Sequence, residues 1–335
     1  MQLADLPSRR SEAWKWSDLR AAMAGQEGVV TGTAPIDAEG PISALAQAMD
    51  DAYGPSALDI VAPGETFETR ITEGDAAQYG SVIVRAGATA TLVERAGVSG
   101  SRLRPFLPSF SRIEVEPGAT LHRIVVQTND VGTGQADAAI VLNEAVVKLG
   151  QGATFRQFVL GEGAKLARIE ISVDAVEGAQ VELNGVYLAS AKRHIDMTSR
   201  VAHRGPGIQS RQLVRGVARK GGRGVFQGKF LVERAGQKTD AEMAHNALSA
   251  GRGRGSLFQA RAGNLCRRRR LRPRQYGRAA GRGRRVLPAP ARHSRCRGAR
   301  ADHAGLRDGS RPGMGWRDLY AEIEQRIDTW LGTRA

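Results

Sequence analysis

The chain reads as mainly β, a stack of short strands flanked by helical segments. Three observations predict this. Between about Leu58 and Glu242, β-branched runs such as GSVIVRAG, SRIEVEPG and LARIEISVDAVEG alternate with glycine turns. A Gly-Ala turn that opens a strand recurs at Gly87, Gly118, Gly152, Gly163 and Gly178. The two ends of the chain carry helical rather than strand periodicity. Repeated turn–strand units point to a solenoid, in which each coil buries the face of its neighbour. The spacings are 31, 34, 11 and 15 residues, so the repeat is degenerate and an ordinary β-sandwich with similar turns competes with it.

The elements follow in order. Residues 1–52 form an N-terminal helical region. In SEAWKWSDLRAAMAG, Trp14, Leu19, Ala22 and Met23 fall roughly on one face, with Gly25 as the stop. Gly28 to Pro41 is a polar loop, and ISALAQAM is a second short helix. Residues 53–248 are the solenoid core. Its glycines supply turn conformations that a Cβ forbids, and the following alanine lets the chain pack closely behind each turn. Residues 249–311 hold neither period for more than a few residues. Residues 312–335 return to a helix, with Leu319, Ile323, Ile327, Trp330 and Leu331 in one stripe.

Composition narrows the class. The 335 residues are 41% hydrophobic and 5% aromatic, enough for a core. No apolar run is long enough to span a bilayer. The N-terminal residues lack the apolar stretch of a secretory leader, and only two cysteines occur. The expectation is a reducing, cytoplasmic location. The net charge of +15 is unevenly spread: Gly251 to Arg311 holds 19 Arg, no Lys and only Asp302 and Asp308, so this segment is +17 and the remainder −2.

Several constellations invite chemistry. Cys266, His293, Cys296 and His303 give C-x26-H-x2-C-x6-H, which matches no zinc spacing. The phosphate-loop, nucleophile-elbow and H-E-x-x-H patterns are missing. KGGRG at Lys220 is either a backbone anion nest or a hairpin turn. His194 and Asp196 share one strand face, where they could hold a proton or a metal, or simply form a hydrogen-bonded polar ladder; His203 and Arg204 lie close in sequence. A carbohydrate-active solenoid enzyme would need clustered carboxylates, which the sequence does not locate. The Arg-rich segment reads as a nucleic-acid arm by charge. Yet it lacks Lys and holds only Phe258 and Tyr276 as aromatics for stacking.

Longer motifs carry a resemblance. RRSEAWKWSDLR at Arg9 resembles the N-terminal motif of the SufD family. RHIDMTSRVAH, followed by SRQLVRGVARKGGRGVFQGKFLVERAGQKTDAEMAHNALS, resembles its core signature in order and spacing. Gly224-Val225-Phe226, Gly228-Lys229 and Gln237-Lys238-Thr239-Asp240 stand where that family has them. The likeness covers about residues 5 to 248 and the final helix. It implies a right-handed β-helix core with helical ends. It also implies a non-enzymatic cytoplasmic scaffold in iron–sulfur cluster assembly, pairing with SufB-like and binding SufC-like proteins, without membrane or nucleic-acid partners. No cofactor is bound by the chain alone; a cluster forms transiently at the SufB interface.

The likeness stops at the Arg-rich segment, where the family continues with an acidic stretch bearing a C-x-H-G motif. A one-base frame slip accounts for the departure. Each shifted codon takes its first base from the second base of a written codon, and its third from the first base of the next. Gln259 to Asn264 can then encode K-P-E-L-E-I. Leu265 to Leu271 can encode Y-A-D-D-V-A-C, and Arg272 to Gly281 A-H-G-N-T-V-G-Q-L-D. An Asp codon GAC preceded by C reads CGA, so acidic runs become Arg runs. Pro273 occupies the place of the family's His, so no catalytic, cofactor or metal residue carries over. The segment 250–311 is expected to be disordered, with the frame restored between about Arg307 and Trp316. The competing reading is a β-solenoid with a genuine Arg-rich nucleic-acid-binding arm.

Overall fold

The computed structural model describes residues 6–24, 40–46, 58–61, 66–69, 78–98, 106–129, 138–249, 256–264, 270–279 and 314–332. Their core is a parallel β-solenoid. Odd-numbered strands make one eight-stranded sheet, β1 (Leu58–Val61), β3 (Gln78–Val84), β5 (Phe106–Val115), β7 (Ile140–Leu149), β9 (Leu166–Ala175), β11 (His194–His203), β13 (Arg223–Val232) and β15 (Ser256–Asn264). The even sheet holds β2 (Thr66–Thr69), β4 (Thr89–Val98), β6 (Thr120–Asn129), β8 (Thr154–Gly161), β10 (Gln180–Ala189), β12 (Gln209–Ala218), β14 (Asp240–Ser249) and β16 (Arg270–Ala279). Every pairing is parallel and skips one strand in sequence, so the chain crosses between sheets at each corner. A Greek-key sandwich would pair its strands antiparallel, and that alternative falls.

The corners explain the uneven repeat. Gly87, Gly118, Gly152, Gly178 and Gly207 all have φ between 65° and 70° and occupy one equivalent turn, leading from the odd sheet to the even sheet. Gly163, at φ 76°, belongs to the opposite corner. Removing it and adding Gly207 leaves a regular ladder whose steps equal the strand offsets. Gly207 escapes the Gly-Ala motif because Ile208 follows it. Adjacent turns are stitched together: the Gly118 N–H donates to the Gln151 carbonyl at 2.9 Å, Gly152 to Glu177 at 2.9 Å and Gly178 to Pro206 at 3.0 Å. Behind each turn an alanine (Ala88, Ala119, Ala153, Ala179) is buried in the lumen.

The N-terminal region is more broken than its periodicity predicts. A 3-10 turn (Glu12–Trp14) precedes a helix α1 (Leu19–Met23), which ends before Gly25. Asp18 restarts the helix as its N-cap, accepting from the Ala21 N–H at 2.9 Å. A second helix, α2, spans residues 41–46, the first part of the predicted ISALAQAM helix; the predicted loop before it lies mostly outside the described residues. Leu6, Trp14, Leu19, Met23, Ile42 and Leu45 pack on Phe106, Ile140, Leu142 and Leu166, covering part of the odd sheet's outer face.

At the other end, α3 (Met314–Gly332) lies on the outer face of the even sheet. Leu319, Ile323 and Ile327 are buried there against Val93, Ile124, Phe158, Val186 and Leu188, with Trp330 and Leu331 partly buried beside them. The predicted stripe is the packing face. Among the described residues no helix is long and apolar enough to cross a membrane.

Two stretches of the Arg-rich segment, expected as disordered, are strands: β15 and β16. A parallel ladder is a backbone template, and β13 and β14 offer open edges to whatever follows in register. The remainder of that segment lies outside the described residues.

Candidate functional site

His194 and Asp196 lie on the outer face of the odd sheet, beneath the N-terminal segment. Asp196 is completely buried. Its carboxylate accepts from Arg168 Nη1 at 2.8 Å, Thr198 Oγ1 at 3.0 Å and Gln227 Nε2 at 3.1 Å. The Ser17 hydroxyl donates to the same carboxylate. Arg168 is in turn sandwiched under the Trp14 ring at 4.1 Å and paired with Glu170 at 2.9 Å. His194 Nε2 sits 3.4 Å from Ser17 Oγ. Burial pushes the His194 imidazole down to about 4; the Asp196 carboxylate opposes this, and Arg223, Arg168 and Arg9 add to it.

Of the two readings of this pair, the polar ladder holds. Four donors occupy the carboxylate, and among the described residues no group of three potential ligands could hold a metal ion. Sequence proximity does not bring the other two candidates in. His203 faces the lumen and bonds Ser210 Oγ at 2.7 Å. Arg204 lies at the surface, pairing with Asp174 at 2.9 Å and Glu233 at 2.8 Å. Cys266, His293, Cys296 and His303 are outside the described residues.

The lumen holds a second polar cluster that the sequence reading missed. Arg123 and Glu94 form a fully buried ion pair on adjacent coils of the even sheet. Arg123 also donates to Gln157 Oε1 at 2.6 Å and Asn143 Oδ1 at 2.9 Å. Asn143 donates to Glu94 at 3.1 Å and to Ser109 Oγ at 3.0 Å, and Ser111 donates to Glu94 at 3.1 Å. The signal was parity: Glu94 shares its strand face with Ala90, Leu92 and Ala96, all buried. Farther along, Ser199 and Gln212 pair at 3.0 Å across a small cavity also lined by Gln157, Met197 and Phe226. Tyr187 meets His245 Nε2 at 3.0 Å, and burial pushes His245 down to about 4.

The motif glycines serve this lumen. A Cβ on Gly216 would lie 1.8 Å from the Tyr187 ring, and one on Gly224 at 2.1 Å. A Cβ on Gly228 would lie 2.4 Å from Met243 Sδ. GVFQGKF is therefore a packing code for two large neighbours. KGGRG is a corner of the solenoid and not a hairpin. Its Gly222 N–H donates to Arg219 O at 2.8 Å, and the turn joins strands of different sheets. Pro273 takes its register position in β16 opposite Met243.

A family model described as the SUF system FeS cluster assembly, SufBD core domain, matches residues 69–253, more than half of the chain. A search of curated proteins gave no match.

Proposed function

The chain belongs to the SufBD core family of the SUF iron–sulfur assembly system, and from that premise we propose that it is the SufD-type scaffold subunit. A role in SUF cluster assembly comes with the family. The finer reading is that it works in the cytoplasm by docking a SufB-like protein along the solenoid and a SufC-like ATPase near its C-terminal region. It binds no cofactor alone and performs no turnover; the cluster is cargo assembled at the SufB interface. The observation that carries this reading is the order of the long motifs. The stretch from RHIDMTSRVAH to NALS, together with the final helix, resembles SufD in long ordered motifs rather than in one short pattern, and Gly224 and Gly228 of that stretch have defined packing roles.

The Arg-rich segment is, on the same reading, the out-of-frame translation of the family's acidic stretch. Two features support it: the decoded string, and the return of a well-packed helix at Met314, with Leu319, Ile323 and Ile327 buried. The written chain therefore lacks the His that belongs at position 273 and the docking segment that follows it. The test is co-purification with SufB-like and SufC-like partners, comparing the written chain with one whose frame is restored. The restored chain is expected to retain both partners, and the written chain to lose the SufC-like one. Equal recovery would overturn the frame reading, and failure of both chains to retain either partner would overturn the scaffold assignment. Salt-dependent oligonucleotide binding that vanishes on deleting 250–311 would instead favour a nucleic-acid arm.

A further inference from the structure

The corner leading from the even sheet back to the odd sheet carries a ridge of cations. Three successive turns stack there, over residues 162–165, 190–193 and 219–222. Backbone bonds hold them in line: His194 N–H to Ala164 O at 2.7 Å, Lys192 N–H to Gly221 O at 3.0 Å and Arg223 N–H to Arg193 O at 2.9 Å. Each turn presents a lysine: Lys165, Lys192 and Lys220. The latter two are exposed, and Lys165 is half-buried. Arg193 and Arg223 flank them.

Carboxylates are scarce around this ridge. From Leu183 to Val232 the sequence holds ten cations and a single acid, Asp196, which is buried beneath the N-terminal segment. The one acid within the turns themselves, Glu162, faces Arg326 of α3 at 3.7 Å. The other cations of this stretch are largely committed: Arg200 and Arg204 to Asp174, Arg211 to Asp240, and Arg219 to the Trp330 ring. Among the described residues no ion pair holds Lys165, Lys192 or Lys220. Lys192 keeps its place despite a φ of 63°, a conformation that favours glycine.

We infer that this ridge is a docking surface for an acidic α-helix of a partner protein, lying obliquely across the stacked coils. The spacing selects the helix. Adjacent coils are about 4.8 Å apart, and a helix advances about 5.4 Å per turn. The lysines step by about one residue from coil to coil, since Ala164 lies level with His194 and Lys192 with Gly221, so a helix with a carboxylate every three or four residues meets one lysine per coil over three coils when it crosses them obliquely. Nucleic acid suits the ridge less well, because stacking needs exposed aromatic rings. Tyr187 points into the lumen, and Trp330 is stacked on Arg219. This surface is independent of the Arg-rich segment and of the SufD assignment.

The test uses the full chain and an alanine-based helical peptide, acetylated and amidated, with glutamates four residues apart. A zero-length carbodiimide couples the peptide's carboxylates to amines and passes over guanidinium groups, so the Arg-rich segment stays silent. Peptide adducts are mapped by mass spectrometry, with the glutamine version of the peptide as blank. At roughly 50 mM salt, where screening is weak, adducts on Lys165, Lys192 and Lys220 are expected to exceed those on Lys148, Lys229 and Lys238 about five-fold. Even labelling of all these lysines would overturn the proposal. So would a single-stranded oligonucleotide that protects the three lysines from an amine-acylating reagent better than the glutamate peptide does in the absence of carbodiimide, which would reassign the ridge to nucleic acid.

Discussion

Tyr187 shows how much of the lumen is decided by single residues. Its ring fills space that only glycine at 216 and 224 can leave open. Replacing Gly216 with alanine is expected to destabilise the chain by about 1–3 kcal/mol through overpacking. Adding Tyr187→Leu should recover part of that loss, and urea midpoints of the single and double variants check it. Lys238 is the opposite case. It stands in the turn position that five glycines fill in earlier coils, with φ 61°. Lys238→Gly is expected to stabilise by about 0.5–1 kcal/mol, the left-handed strain relieved less the extra freedom of an unfolded glycine; a raised urea midpoint would show it. Neither effect was legible beforehand. The sequence displayed Gly224 of GVFQGKF, but not the ring that requires it, because Tyr187 arrives from the preceding coil.

Among elements, the strands and α3 were readable, while the N-terminal helices were only partly so. Alternation along LARIEISVDA is enforced by a lumen that excludes water, and the stripe on α3 by a flat apolar sheet face. The N-terminal segment obeys tertiary demands instead. Ser17 is drawn out of helical geometry to reach Asp196, and Asp18 must then recap the chain. The buried Arg123–Glu94 pair was hidden for a related reason: charge in a strand reads as solvent-facing unless its parity is compared with its apolar neighbours. α3 is held chiefly by three side chains. Ile323→Ala is expected to cost about 2–4 kcal/mol. It should also loosen Trp330 from Ser190, whose hydroxyl accepts the indole N–H at 2.9 Å, and a red shift in tryptophan emission reports that detachment.

For the whole molecule, the buried imidazoles set an acid limit. His122, His194, His203 and His245 are each pushed down to about 4, mainly by burial. Their unfolded values lie near 6.5. As pH falls below that, the unfolded chain takes up protons that the folded chain refuses. The histidine contribution to stability is thus fully present above about pH 6.5, declines down to about pH 4, and levels off below. Each histidine contributes on the order of 3 kcal/mol to that decline. Urea titrations at pH 7, 6 and 5 should show the midpoint falling, and a flat profile would contradict burial of these rings. The Glu94–Arg123–Asn143–Gln157 cluster also gives the stack a direction. Stacked repeats can fray coil by coil, each interface failing alone. Here one hydrogen-bonded knot spans β4, β6, β7 and β8, so those coils cannot be lost one at a time without stranding a buried charge. Pulled from its N-terminal end, the molecule should peel softly and then stop at this latch, breaking several coils in a single event.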